Sequence, residues 1–133
     1  MKSDLRKNDG PGPPRSGAAE TFFKNGTLES AGSYANGEKH GAWKYYLKNG
    51  KLKAFGKYTK GKLDGEWKWY RENGNLMQEG RFDSGVQEGV WKRYHANGAL
   101  YDEGAYQDGK KIGEWRVSNA DGDLIKTSSH RRR

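Results

Sequence analysis

A tryptophan returns every 24 residues along most of this chain, at Trp43, Trp67, Trp91 and Trp115. Gly41, Gly65, Gly89 and Gly113 stand just before it, and Asn49-Gly50, Asn73-Gly74, Asn97-Gly98 and Asp121-Gly122 follow it at a constant distance. Leu52, Leu76, Leu100 and Leu124 come next, then Gly56, Gly80 and Gly104, then Tyr58, Phe82 and Tyr106. A self-similar period in the range of roughly 20–50 residues specifies a repeat architecture, in which each unit is stable only against its neighbours. Composition narrows the choice. Only 32% of the 133 residues are hydrophobic and 20 are glycine, too little for a thick two-layer core. Aromatic side chains bury about 150–250 Å² each, so a thin structure built on aromatic ladders fits.

Within one unit, residues 42–48 are aromatic-rich and run into Asn49-Gly50, the dipeptide preferred in type I′ hairpin turns. Residues 51–60 return as a second strand, and residues 61–65 lead into the next unit. The expectation is an all-β fold, an elongated single-sheet antiparallel meander of tandem β-hairpins. A two-residue turn at Asn49-Gly50 pairs Lys48 with Lys51, Trp43 with Gly56 and Gly41 with Tyr58. Each repeat tryptophan then faces and covers a glycine across the strand pair. The same count pairs Lys44 with Phe55, Lys68 with Glu79 and Lys92 with Glu103. By alternation, Trp43, Leu52, Gly56 and Tyr58 share a packed face. Lys44, Tyr46, Lys51 and Lys53 share the other, where Tyr46, Tyr70 and Tyr94 recur and are expected to stack along the repeat axis.

The units read as 17–40, 41–64, 65–88, 89–112 and 113–124. The first is a degenerate cap with Ala19 where tryptophan is expected, and the last is a partial cap ending after one strand and a turn. Residues 1–16, with Pro11, Pro13 and Pro14, and the basic tail 125–133 are expected to be disordered. No apolar run has the length of a signal peptide or a membrane span, which gives the expectation of a cytoplasmic protein. With no cysteine, disulfide and thiolate chemistry are excluded. The net charge of +8 is unevenly distributed: residues 39–71 carry ten basic and two acidic side chains, residues 72–124 six basic and ten acidic.

No catalytic, cofactor or metal constellation emerges. His40 and His95 fall in repeat slots that other residue types fill freely, which reads as surface, and with His130 they are three scattered histidines that make a poor metal site. Asp102 and Glu103 point to opposite faces of a strand, so they cannot act as an acid–base pair. The expectation is a non-enzymatic protein without cofactor.

The recurring string Gly41, Trp43, Tyr46, Asn49, Gly50, Leu52, Gly56, Tyr58, Gly61, Lys62 resembles the MORN (membrane occupation and recognition nexus) repeat, and most closely the variant repeat of bacterial antitoxin-like proteins. Tryptophan stands where the familiar MORN pattern has a second glycine, which favours the variant and weakens transfer of a lipid-binding role. The resemblance implies an all-β binding or scaffolding platform, with protein partners and toxin neutralisation among its uses. The string is also similar to choline- and glucan-binding repeats, whose period is shorter.

Partner-reading positions in a repeat protein are free to differ between units. The slot two after each tryptophan does so, holding Tyr45, Trp69, Arg93 and Val117, and with Lys44, Lys48, Lys51 and Lys53 it forms the candidate protein-binding set. The alternative is an anionic membrane surface or single-stranded nucleic acid held by lysines 44–62 with Tyr46 and Phe55 interleaved. Self-association through open sheet edges is a third reading.

Overall fold

The computed structural model describes residues 15–131. It consists of one ten-stranded sheet in strictly sequential order, every neighbouring pair antiparallel. The strands are β1 (Gly17–Phe22), β2 (Leu28–Ala35), β3 (Glu38–Tyr46), β4 (Leu52–Thr59), β5 (Lys62–Tyr70), β6 (Leu76–Asp83), β7 (Val86–Tyr94), β8 (Leu100–Gln107), β9 (Lys110–Ser118) and β10 (Leu124–His130). This is the expected all-β meander. Among the described residues nothing forms a second layer. Burial is therefore achieved within the sheet surface, where Trp43, Trp67, Trp91 and Trp115 are each no more than 4% exposed.

The predicted cross-strand pairs Gly41–Tyr58, Trp43–Gly56, Lys44–Phe55, Lys68–Glu79 and Lys92–Glu103 all form. The predicted turn does not. At Asn49-Gly50 the Leu47 amide donates to Lys51 O at 2.8 Å and the Gly50 amide to Leu47 O at 2.8 Å. This is a three-residue loop, a type I turn closed by a left-handed glycine; only Gly50 (φ 90°) has positive φ there. Lys48 and Lys51 are thus not partners. A bulge between Leu52 and Ala54 restores the register beyond it. The two offsets cancel at Trp43 but not at Leu52, which pairs with Tyr46 and leaves the tryptophan face.

True type I′ turns lie at the opposite sheet margin. Asn36-Gly37, Lys60-Gly61, Ser84-Gly85 and Asp108-Gly109 have both residues at positive φ, and Thr59 pairs with Lys62 directly across one of them. The connection expected over residues 61–65 is therefore a two-residue turn followed at once by β5. The asparagines of the Asn-Gly pairs serve another purpose. Asn49, Asn73 and Asn97 Oδ1 accept from the amide two residues on, at 2.9 Å in each case. Asn73 and Asn97 Nδ2 then donate to Ala96 O and Ala120 O in the next unit.

At the sheet's end, β10 pairs with β9, so the expected partial cap is a complete hairpin. Residues 125–130 of the expected disordered tail are strand, because the Asp121-Gly122 turn returns the chain onto Trp115 as the corresponding turns do in the other units. The expected disordered lead-in lies, up to residue 14, outside the described residues, as do residues 132–133.

Candidate interaction face

Trp43, Trp67 and Trp91 each pair with one glycine and cover another, while Trp115 pairs with Ser128 and covers Gly104. Trp43 is the cross-strand partner of Gly56, yet its ring lies over Gly32; Trp67 lies over Gly56, Trp91 over Gly80 and Trp115 over Gly104. The expected coverage is displaced by one strand because the register of β2 against β3 breaks opposite Gly32. Gly41, at φ 75°, supplies the left-handed residue of that bulge. The interruption leaves carbonyls outside the ladder, and the indoles take them: Trp43, Trp67, Trp91 and Trp115 Nε1 donate to Ser33, Lys57, Arg81 and Ala105 O at 2.9–3.1 Å. Ring, glycine and bulge form one device.

The slot two after each tryptophan shares its face. Tyr45 sits between Trp43 and Trp67 at centroid distances of 6.1 and 6.4 Å. Trp69 sits between Trp67 and Trp91 at 5.9 Å from each. Five rings from Trp43 to Trp91 thus form a continuous ladder across β3, β5 and β7, flanked edge-on by Tyr34, Tyr58, Phe82 and Tyr106. At Arg93 the ladder stops. Its Nε and Nη2 donate to both Asp102 carboxylate oxygens, at 3.1 and 2.7 Å, and its guanidinium lies 4.9 Å from the centre of the Tyr101 ring.

One row of cross-strand partners explains why this slot varies. Ser30, Tyr45, Ala54, Trp69, Gln78, Arg93, Asp102 and Val117 follow one another strand by strand. Two aromatic rings flank buried Ala54, while Arg93 stands over Asp102, a carboxylate residue only 4% exposed. The identity of the slot follows its neighbour on the even strand. The expected pairing of Lys92 with Glu103, carried one residue further, puts Asp102 opposite Arg93, as the structure has it.

Tyr45, Trp69 and Arg93 are thus brought together, and the lysines are not. Lys44 pairs with Phe55 on the opposite face, Lys48 and Lys51 lie in the turn, and Lys53 occupies the bulge. The opposite face carries a row of Lys68, Glu79, Lys92, Glu103 and Arg116 in alternating charge. The tyrosines there engage other partners than one another: Tyr70 stacks on Phe55 at 6.3 Å and Tyr94 donates to Glu79 at 2.6 Å. His95, expected to be plain surface, is half-buried and bonds Ser118 O at 2.8 Å, as Arg71 in the same slot bonds Tyr94 O at 2.8 Å.

Sequence reasoning missed Lys39. Its ammonium lies 4.9–5.4 Å from the ring centres of Trp43, Tyr45 and Tyr58 and donates to Tyr45 Oη at 3.0 Å, so the chain fills its own first aromatic cage with a cation. The signal was available in the slot Lys39, Leu63, Gln87, Lys111. Tyr45 and Tyr58 share a hydroxyl–hydroxyl bond of 2.8 Å. Burial, and then this bond, push Tyr58 up to about 12 from 10.0; burial raises Tyr45 as well. A phenol whose folded pKa is raised stabilises the fold fully below its unfolded pKa, and that contribution is lost as pH climbs through the folded value. The melting temperature is therefore expected to fall between pH 10 and about 12. Tyr58→Phe, which copies Phe82 of the next unit, should flatten that fall; parallel curves for the two proteins would rule the pair out as its source.

Among the described residues no group of three histidine or carboxylate side chains could hold a metal, and no helix is long and apolar enough to cross a membrane. A family model described as a MORN repeat variant matches residues 15–36, 39–54, 63–84 and 87–108, more than half of the chain. No curated protein matches. Among solved structures, the crystal structure of a GtfA/B complex bound to UDP and GlcNAc is similar at 15% identity with a TM-score of 0.31, over 97% of this chain and 27% of that one. This chain thus spans about a quarter of that relative's length.

Proposed function

Since the chain belongs to the MORN repeat variant family, we propose that it is a non-enzymatic interaction module that holds a protein partner against its tryptophan face. The observation that carries this reading is the aromatic ladder. The repeat tryptophans are buried within the sheet surface, but the rungs between them, Tyr45 and Trp69, are only half-buried, on a face over which the described residues place no second layer. Strands fix the ladder rigidly, so a partner meets a preorganised surface. A toxin-like protein neutralised by that contact is the narrower form of the proposal. The opposite face, with its alternating charges, suits solvent, and the lysines once grouped as an anion-binding stretch are spread over a face, a turn and a bulge.

The test compares two charge variants as bait for source-cell lysate, with and without nuclease and at two salt concentrations. Leu63→Lys changes the tryptophan face and copies Lys39 and Lys111 of the same slot, so the fold should tolerate it. Lys44→Glu changes the opposite face. A protein retained by the wild type and by Lys44→Glu, and reduced at least tenfold by Leu63→Lys, supports the reading. Loss with Lys44→Glu alone, or recovery of nucleic acid or lipid that salt removes, would replace it with the anionic-surface reading.

A further inference from the structure

We infer that the two ends of the sheet are complementary, and that β1 of one molecule adds to β10 of a second copy of this chain, continuing the strand order head to tail. Both end strands have one unpaired edge among the described residues, and both keep the shape of an inner strand. Gly17 on β1 has positive φ (107°), as do Gly41, Gly65, Gly89 and Gly113, which form the bulge against the strand before them. The Arg15 carbonyl accepts from the Gly37 amide at 2.7 Å, just as Lys39 O accepts from the Gly61 amide at 3.0 Å. Among the described residues β1 has no preceding strand for that bulge to face. β10 keeps the even-strand pattern, with its own bulge at Ile125 and with His130 edge-on to Trp115 in the slot of Tyr106.

Moving the β8–β9 pairing by whole repeats gives the junction. Lys126 falls opposite Thr21 and Thr127 opposite Glu20, so no like charges confront each other along the two strands. The slot of Trp115 over Gly104 becomes Ala19 over Ser128. In the inner units a Cβ at the glycine would fall inside the ring, so serine at 128 does not fit beneath a tryptophan at 19. The ring and the space for it are lost together, at the one junction where two copies would meet. The apolar surface matches as well. Phe22, Leu124 and Ile125 are 55%, 52% and 61% exposed. Tyr46, Tyr70 and Tyr94 in the slot of Phe22, and Leu52, Leu76 and Leu100 in that of Leu124, are half-buried beside a neighbouring strand. Continuation lays Phe22 on Thr127 as Tyr70 lies on Phe55, with Leu124 on the same face. An unpaired apolar edge is a template for another strand. Because the two edges differ, the contact is heterologous and adds copies in series.

A single strand edge buries less than the roughly 1,200 Å² of a stable interface, so the contact is weak and is read by sedimentation velocity between about 10 µM and 1 mM. The weight-average mass is expected to rise with concentration and to pass that of a dimer. Ala19→Trp sets a ring against Ser128 and should weaken association at least tenfold. Adding Ser128→Gly rebuilds the ring-over-glycine pair across the junction and should restore association to at least wild-type strength. Leu63→Lys, on the tryptophan face away from both ends, should leave it unchanged. A mass that stays at the monomer, or that stops at the dimer because two like edges pair, would overturn the inference. So would association indifferent to Ala19→Trp, or a loss that Ser128→Gly fails to rescue. Association abolished by Leu63→Lys would move the contact to the tryptophan face and overturn it as well.

Discussion

Alanine in place of Gly80 is expected to destabilise the protein by several kcal/mol, against an ordinary prior of the opposite sign. Gly80 does not have the left-handed backbone that demands glycine, and a compatible Gly→Ala change usually stabilises by about 0.4–1 kcal/mol through the unfolded chain. Here the added Cβ would fall inside the Trp91 ring. The ring has nowhere to go: Nε1 is tied to Arg81 O at 3.1 Å, Trp69 stacks on it at 5.9 Å, and Phe82 and Tyr106 abut it at 5.1 and 5.8 Å. Overpacking costs about 1–3 kcal/mol, and expelling a buried tryptophan about 3–5 kcal/mol, out of a total stability of about 5–15 kcal/mol. Urea denaturation of Gly80→Ala, Trp91→Ala and the double variant gives the coupling directly. The double variant should cost much less than the sum. A Gly80→Ala protein within about 0.5 kcal/mol of wild type would mean that the ring yields. The chain offers its own control: the glycine column Gly32, Gly56, Gly80, Gly104 ends in Ser128 on β10, beyond which no tryptophan strand lies among the described residues.

The same device shows what the sequence could and could not convey. Trp–Gly periodicity was enough to establish the meander and the pairing of Trp43 with Gly56, because a strict repeat imposes one register on every unit. It could not show which of two glycines each ring covers. That depends on a bulge opposite Gly32, and bulges leave no signature beyond a glycine that turns also explain. Asn49-Gly50 was misread for a related reason. Asparagine favours type I′ turns through its tolerance of positive φ, but at Asn49 it accepts a local amide bond instead, and at Asn73 and Asn97 it also donates to the next unit. Of the four type I′ turns, Asn36-Gly37 and Asp108-Gly109 carry the dipeptide signature, whereas at Lys60-Gly61 and Ser84-Gly85 only the glycine signals them. The interaction face was legible as alternation, whereas the place where the aromatic ladder stops follows from Arg93 turning to Asp102, a pair that the register alone puts opposite each other.

Trp67→Ala is expected to cost more than Trp115→Ala, and the two should fail differently. Trp67 touches Tyr45, Tyr58 and Trp69 at 6.4, 5.2 and 5.9 Å. Trp115 has only the edges of Tyr106 and His130, at 5.2 and 6.4 Å, beside the Lys111 ammonium. Both indoles make the same bond to a neighbouring carbonyl, so the difference isolates the ladder. Loss of Trp67 should approach the upper part of the roughly 3–5 kcal/mol range for a buried tryptophan and loss of Trp115 the lower part. In a sheet where each strand bonds only its sequence neighbours, stability is close to a sum of unit and nearest-neighbour terms. Breaking the array between β4 and β5 should therefore uncouple two halves, giving a broader urea transition with a lower m-value. Breaking it at β9 should free only the terminal hairpin. Hydrogen exchange distinguishes these outcomes: Trp115→Ala should expose β10 amides and leave β3–β6 protected, whereas Trp67→Ala should accelerate exchange on both sides of the break. Equal costs and uniform exchange in both variants would mean that the sheet melts as one cooperative body, and the ladder would then be a surface feature resting on the backbone instead of the interaction that couples the repeats.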